Sequence, residues 1–582
     1  MYIGIKVALL ATVALFLACS KSKTPTPDPD PGGGNNGGNE PPPITAVPDP
    51  ATAETIGFFL DNWQPRSFTP PAYTEATPVT AATANTVTID ASAILTKIPP
   101  GAFGHNANTW MGDDIAKPIV IDPVKNLQAH IIRFPAGSGS DAYFFNRTDN
   151  SLPDDVPEQI MDMNGDLKNP GYWFGKTSYN WQASLDQYYT LLQQTGNKGM
   201  ITVNYGYARY GTSADPVAAA AHLAADWVRY DNGRTLYWEI GNETYGDWEW
   251  GYRIDLSKNK DGQPEYITGD LYAKHARVFI DSMQKAAVEI GKTIYIGATL
   301  VETAPASWAT NAVRTWNKTM LPELQGKNDF FIVHNYFTNY GENSNAAAVL
   351  AAGETVPGKM MDYVKSEILL NGGALKPIAM TEWNMWAKDS KQQVSNTSGL
   401  FALFVVGESI KSKYGMTARW DLLNGWDNGN DHGLFSAGDE PGIPKWSPRP
   451  SFYYLYFFRK MLGDRLVPTN VTGNSAIKAY ASTYTSGEAN CTLINTSKAD
   501  ITVEIKAKNF NIGSRFYYYT LQGSDDNGEF SRKVLVNGSG PSKEAGGPAD
   551  YATLKARSSN TLNGLRVVVP AYGAVVMAID KK

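Results

Sequence analysis

Tyr237-Trp-Glu-Ile-Gly-Asn-Glu-Thr-Tyr-Gly-Asp-Trp-Glu-Trp-Gly251 is the stretch around which the rest of the chain can be read. Its apolar start, with Leu236 before it, ends at Gly241, and Asn242 and Glu243 follow at once. A strand that delivers an amide and a carboxylate at its C-terminal end, beside Tyr245, Trp248 and Trp250, suits a polyhydroxylated ring. Aromatic faces stack on C–H groups while polar groups meet hydroxyls. Taken alone, the same residues also describe a buried strand with an acidic turn.

Working outward, short apolar runs alternate with helical patterns. Eight strand candidates occur at Gly101–Asn108, His130–Pro135, Gly199–Gly206, Thr235–Glu243, Ile294–Thr299, Phe330–Phe337, Pro377–Asn384 and Ala418–Leu423. Between two of them Asp215 can cap a helix with Pro216 in its first turn, and Val217, Ala220, Ala224, Trp227 and Val228 share a face. In another, Leu271, His275, Phe279, Met283, Ala286 and Ile290 line one face and Gly291 closes the helix. This alternation predicts an α/β fold, a (β/α)8 TIM barrel over residues 99–463, with its polar residues at the strand ends. After a last helix from Ser451 to Leu462, strand patterns at Ile477, Cys491, Ile501, Phe516 and Leu565 follow without helices. They predict a C-terminal all-β sandwich over residues 464–582. Residues 51–98 form a strap and a strand, Thr86–Asp90, that can join the sandwich.

The N-terminus has the form of a targeting segment. Lys6 precedes an apolar run from Val7 to Ala18, too short to span a bilayer, ending Leu15-Phe-Leu-Ala-Cys19-Ser20. That ending resembles a bacterial lipobox, which implies lipid attachment at Cys19, removal of residues 1–18, and an exported lipoprotein at the outer membrane, on its periplasmic or cell-surface face. Residues 20–50, rich in Pro, Gly, Asn and Asp, read as a disordered tether. With Cys19 acylated, Cys491 is left single and reads as a small buried hydrophobe. A net charge of −6 gives no reason to expect nucleic acid or an anionic membrane surface as partner. The 12% aromatic content, with 15 Trp, fits a carbohydrate-handling surface or generous core packing.

The chemistry lies at strands four and seven. Glu243 ends the fourth candidate strand, and the seventh runs Ile378-Ala-Met-Thr-Glu382-Trp-Asn-Met-Trp386. Across a barrel mouth two such carboxyl groups can reach the separation of about 5–5.5 Å that retaining glycoside hydrolysis requires. Held that close, they raise each other's proton affinity, so that one stays protonated as the acid.

At this point the chain resembles the clan A retaining glycoside hydrolases, and among them the α-L-arabinofuranosidases of family fifty-one. The matching pieces are Arg133-Phe-Pro, Val203-Asn-Tyr-Gly206, Gly241-Asn-Glu-Thr-Tyr-Gly-Asp-Trp248, His334-Asn-Tyr336 and Glu382-Trp-Asn-Met-Trp386. The resemblance implies that Glu243 is the acid/base, Glu382 the nucleophile, and Asn242 the partner of a sugar 2-hydroxyl. It also implies that Tyr336 bonds the nucleophile and that Trp420 forms a platform under the sugar. Arg133 reads either as the group that orients the nucleophile or as a structural ion pair. His334 is either a site residue or a satisfied core histidine, and Asn204 is expected to line the floor. Of Trp110, Trp248, Trp250, Trp386 and Trp426, about half are expected on sugar and half in loop packing, with Trp248 and Trp386 foremost on sugar. His105 and His432 are placed in mouth loops.

The family pattern fails at the first-strand loop, Phe103-Gly-His-Asn-Ala-Asn-Thr-Trp110-Met-Gly-Asp-Asp, at Pro135-Ala-Gly, and around Arg419-Trp-Asp-Leu-Leu. The sugar therefore does not transfer with the catalytic pair. No cofactor and no metal are expected; Asp427–Gly433 has some flavour of a calcium loop but reads better as a turn. The substrate class expected is a plant or algal polysaccharide or its oligosaccharides. Two alternatives stand beside the arabinofuranosidase-like reading: an endo-acting β-glycanase of glucanase, xylanase or agarase type, and a surface glycan-binding lipoprotein without catalysis.

Overall fold

Two strands end where an apolar run meets proline or glycine, at Pro135 and Gly241, and eight strands close on one another. The computed structural model describes residues 48–582 apart from 136, 389–390, 427–430 and 526–527; the expected signal segment, Cys19, most of the tether and part of the Asp427–Gly433 loop lie outside the described residues. The barrel strands are β1 (Gly104–Asn106), β2 (Ile131–Phe134), β3 (Lys198–Val203), β4 (Thr235–Ile240), β5 (Tyr295–Thr299), β6 (Phe330–Tyr336), β7 (Ile378–Asn384) and β8 (Met416–Arg419). Each is parallel to the next, and β8 closes on β1 through Ala418–Gly104 and Arg419–His105. The expected TIM barrel is present, with two corrections of register. Pro100–Phe103 is a 3-10 turn, so β1 is shorter than its apolar pattern suggested. The eighth strand ends at Arg419 rather than running to Leu423, because Leu423–Asn424 leaves the barrel to pair with Phe435–Ser436.

The helices obey their caps. Asp215 accepts from Ala218 N at 2.9 Å at the head of the helix Pro216–Asp231. Thr268 caps Gly269–Glu289, whose inward face carries His275, Phe279 and Met283. By contrast Asn396–Lys411 is buried on every side from Asn396 to Ile410, as a helix sandwiched between two layers must be.

Its second layer is the β domain. Nine strands form one sheet, in which Gly573–Lys581 lies between Ile512–Gly523 and Ala489–Asn495. Four strands form the other, ordered Thr469–Thr472, Thr86–Asp90, Ile501–Lys508, Leu565–Val569. Val87, Ile89, Cys491, Leu493, Val503, Val567, Val575 and Met577 fill the space between the sheets. The opposite face of the larger sheet packs on the barrel: Tyr519 lies 4.6 Å from Phe457, and Tyr480 donates to Glu408 Oε1 at 3.0 Å. The N-terminal segment is stitched into both sheets, since Tyr73–Glu75 pairs in parallel with Ala556–Asn560 of the larger one.

Before reaching the sandwich, that segment closes the barrel floor. Phe58 stacks on Tyr295 at 3.7 Å, and Phe59 packs on Tyr237 at 4.9 Å and edge-on to Phe330 at 5.6 Å. Ile56 and Phe59 join a buried cluster with Ile131, Met200, Phe330 and Met416 at the strand starts. Chemistry is thereby left to the C-terminal face, where barrel sites sit. Phe59→Ala should open a cavity in this plug and cost about 3 kcal/mol; a denaturation midpoint unchanged from the parent protein would show that the plug does not support the barrel.

Candidate active site

A fully buried arginine sets the geometry. Arg133, on β2, donates through Nε to Glu239 Oε2 at 2.5 Å, through Nη1 to Asn106 Oδ1 at 3.0 Å and Glu382 Oε1 at 2.8 Å, and through Nη2 to Asn242 Oδ1 at 2.9 Å. Its planar fork thus ties together the ends of β1, β4 and β7, which a single ammonium could not do. Burial alone would lower the guanidinium's proton affinity, but Glu239 and Glu382 more than reverse this and raise it. Thr202 donates to the same Glu239 oxygen at 2.6 Å.

Gly241 turns the chain at the end of β4 with φ 73°; a Cβ there would lie 2.5 Å from Thr244 Oγ1 and 2.8 Å from Tyr205 Cβ. The turn places Glu243, itself at φ 26°, over the mouth. His334 Nδ1 meets Glu243 Oε1 at 3.0 Å, and Trp248 Nε1 donates to Oε2 at 2.9 Å. On β7, Glu382 accepts from Arg133 on one oxygen and from the Tyr336 hydroxyl, at 3.0 Å, on the other. His334 Nε2 lies 2.8 Å from Thr381 Oγ1, which fixes the ring between the two carboxyl groups. One oxygen of Glu243 and one of Glu382 lie within 4.8 Å of each other.

Burial pushes the Glu243 carboxyl up, but the His334 hydrogen bond and charge, with Trp248 and Arg133, outweigh it and leave it below the ordinary value. For Glu382, burial and the Glu243 charge prevail over His334 and Arg133, so its carboxyl is raised. His334 loses proton affinity to burial and regains more from Glu382 and Glu243, ending above the ordinary 6.5. The imidazole and Glu243 therefore hold one proton between them. Glu243, His334 and Glu382 could in principle face a metal ion, yet the Arg133 guanidinium and the imidazolium already supply the positive charge that their carboxylates need.

Behind this layer stand acids that the sequence reading did not single out. Glu249 Oε1 accepts from Asn242 Nδ2 at 2.9 Å and from Ser138 Oγ at 2.8 Å, which fixes the Asn242 amide. Burial, then the charges of Asp141 and Glu243, raise Glu249 well above the carboxylate range. Asp141, which accepts from Gly206 N at 3.0 Å, is pushed by burial to about 7. Glu302, after β5, is likewise raised by burial to about 7 and accepts from Asn335 Nδ2 at 2.7 Å. Glu239 did carry a signal: a charge inside the apolar run Leu236–Ile240 calls for a cation. Asn106 and Thr381 carried none.

Several other predicted residues reach the mouth. Tyr336 is there, with Trp386 stacked on its ring at 4.6 Å. Trp420 follows β8 with 9% exposure and packs edge-on to Trp110 at 5.9 Å. Trp248 is 54% exposed above Glu243. Asn204 does not line the floor: its Nδ2 donates to Tyr143 O and the Tyr210 hydroxyl, and its Oδ1 accepts from Tyr207 N, so it shapes the loop after β3. Trp250 packs against the barrel core, and Arg532 of the β domain covers Trp426 at 5.1 Å. His105 is buried on β1, where desolvation drops it to about 3, rather than exposed in a loop. His432, also lowered to about 3 by burial, packs against the rings of Tyr336 and Trp386, each at 5.2 Å.

No family model matches the chain. An intracellular exo-α-(1→5)-L-arabinofuranosidase of Bifidobacterium longum is 26% identical over 289 residues, 46% of this chain and 44% of that one. The chain spans about half the length, or less, of the curated relatives it matches. Among solved structures, the Thermotoga maritima α-L-arabinofuranosidase in complex with arabinose superposes with a TM-score of 0.59 at 17% identity, covering 85% of this chain and 99% of that one. A bifunctional glucanase-xylanase from a metagenome library gives 0.55 at 13% identity, covering 86% and 99%. In fold, and over part of its length in sequence, the chain resembles the α-L-arabinofuranosidases.

Proposed function

We propose that the chain is a retaining glycoside hydrolase of the α-L-arabinofuranosidase type, acting on plant or algal polysaccharide or its oligosaccharides. The observation that carries this reading is the approach of Glu243 and Glu382 to within 4.8 Å between oxygens. That agrees with the close spacing of double displacement, about 5–5.5 Å, and falls short of the separation of about 6.5–9.5 Å at which an inverting enzyme seats a water between its carboxyl groups. Glu382, held by two donors that favour its anion, attacks the anomeric carbon as the bond to the leaving oxygen breaks. The proton held between His334 and Glu243 goes from Glu243 to that oxygen. Water then attacks the glycosyl-enzyme bond, giving its proton to Glu243 and releasing Glu382. Asn242, with one N–H and one lone pair still free after its bonds to Glu249 and Arg133, can meet a sugar hydroxyl beside the reacting carbon. The arabinofuranoside preference rests on the relatives' names. The endo-glycanase reading draws support from the glucanase-xylanase neighbour and from exposed Trp248 at the mouth.

Glu243→Ala should lower kcat on natural glycosides by about 10²–10⁴-fold, with azide restoring turnover of an activated aryl glycoside, whose leaving group needs no acid, as the glycosyl azide of retained configuration. Glu382→Ala should be at least as severe, with rescue giving the opposite anomer. Residual activity near the parent level in both would refute the assignment.

The pH profile follows from the shifts. Activity should be lost on the acid side as Glu382 protonates, at a pH above the ordinary 4.5, because the nucleophile must be an anion. It should be lost on the alkaline side above 6.5, as the His334–Glu243 pair gives up its proton. His334→Ala should move the alkaline limb, since the last proton is then held by Glu243 alone and no longer by an imidazole whose proton affinity the two carboxylates raise. An unmoved limb would remove His334 from the proton inventory.

We also propose the lipid anchor read from Leu15–Ser20, which would place the enzyme on the outer membrane by its acylated Cys19. Cys19→Ser should shift the full-length protein from the membrane to the soluble fraction on expression in a bacterial host, and equal partition of both forms would dismiss the anchor.

A further inference from the structure

A row of rings leads away from Trp420. Its ring meets Trp110 at 5.9 Å, Trp110 meets Trp173 at 6.4 Å, Trp173 meets Trp181 at 5.8 Å, and Trp181 stacks on Tyr179 at 5.3 Å with 17° between planes. Exposure rises outward, from 9% at Trp420 through partly covered Trp110 and Trp173 to 52% at Trp181 and 41% at Tyr179. Loop packing accounts for the inner rings, but two adjoining rings with this much surface in water need another reason.

The outer end is also held in place. Gly112 adopts φ 70°, and a Cβ there would sit 2.1 Å from Asn180 O, so the turn carrying Trp110 and the loop carrying Tyr179 and Trp181 touch backbone to backbone. Asp113 N donates to Tyr179 O at 3.0 Å, Ala183 N donates to Thr109 O at 2.6 Å, and Trp110 Nε1 donates to Leu423 O at 2.9 Å. The loops that carry the rings and the Trp110 ring itself are therefore held in place, and the outer rings lean on one another from there. The loop that carries Trp110 is also the one that departs from the arabinofuranosidase pattern.

We propose that this row is a sugar-binding track that holds residues of a glycan chain remote from the cleaved bond, with Trp181 and Tyr179 as its distal station. Its ligand is an uncharged oligosaccharide or polysaccharide chain, whose apolar sugar faces stack on the rings. The proposal rests on the glycosidase reading for its orientation toward Glu243 and Glu382, but its binding can be read without hydrolysis.

The test uses the full-length protein and a Trp181→Ala/Tyr179→Ala double variant, with unchanged thermal unfolding as the check on folding. Native gels containing arabinan, arabinoxylan or β-glucan read binding. At least one polymer should retard the parent protein, and the double variant should lose about tenfold in affinity for it. Kinetics on oligosaccharides of increasing length should show KM raised by a similar factor for the longer ones, with turnover of an aryl monoglycoside unaltered. Retardation of the parent by none of the polymers, or equal retardation of both proteins, overturns the track. A parent that binds polymer through these rings yet hydrolyses nothing leaves the track standing and removes the glycosidase reading instead.

Discussion

Everything at the barrel mouth depends on one buried guanidinium. Stripping Arg133 of water is costly, on the order of several kcal/mol for each ion of such a cluster, and the structure offsets that cost only because its donors meet acceptors from three other strand ends. The same bonds that satisfy Arg133 aim Glu382 and Asn242. Stability and preorganisation are one network, so the carboxylate cannot turn away from its place without leaving a buried charge unpaired. Glu239 has no exposure to the mouth and acts only as counter-charge, yet without it the arginine would carry a single carboxylate partner.

A second constraint is the count of protons. Glu243, Glu382, Glu249, Asp141 and Glu302 crowd the C-terminal end of the barrel, with Arg133 and His334 as the cations close to Glu243 and Glu382. Burial eases the excess by raising the proton affinity of the outer acids: Asp141 and Glu302 to about 7, and Glu249 well above the carboxylate range. A neutral Glu249 can still accept from Asn242 and Ser138 while adding no negative field behind Glu243. The charge left at the mouth is then shared between Glu243, which His334 holds as an anion, and Glu382, which burial and Glu243 raise and Arg133 draws back.

How far the sequence reveals this depends on whether the signal is local. Strand four is legible because its apolar run stops at a glycine and is followed by two polar residues, and Glu382 is legible as its counterpart three strands on. Strand eight is misread by a few residues, since Leu422 and Leu423 continue the apolar run although the chain has already left the barrel. The strand Gly573–Lys581 passes unremarked because it is buried on both faces and shows no alternation to detect. Asn204 is misplaced for a different reason. An Asn at a strand end looks like a ligand-facing group, and only the packing of Tyr143, Tyr207 and Tyr210 reveals a loop brace. The acid pair Asp141 and Glu249 is 108 residues apart in the chain, a partnership that burial creates and no spacing announces.

The aromatic surplus can now be apportioned. If 15 Trp served only core packing, those left in water should be scattered over the surface. Among the described residues the strongly exposed ones are Trp181, Trp248 and Trp308, at 52%, 54% and 89%. They lie on the loops that follow β2, β4 and β5, all at the C-terminal face that bears Glu243 and Glu382. At the opposite face the rings of Phe58, Phe59, Tyr237 and Phe330 pack on one another beneath the barrel. One end of the barrel is closed by aromatic rings, and the other holds its exposed tryptophans out to solvent around the carboxyl pair. That polarity is what a protein that stacks on sugar needs, and core packing alone gives no reason for it.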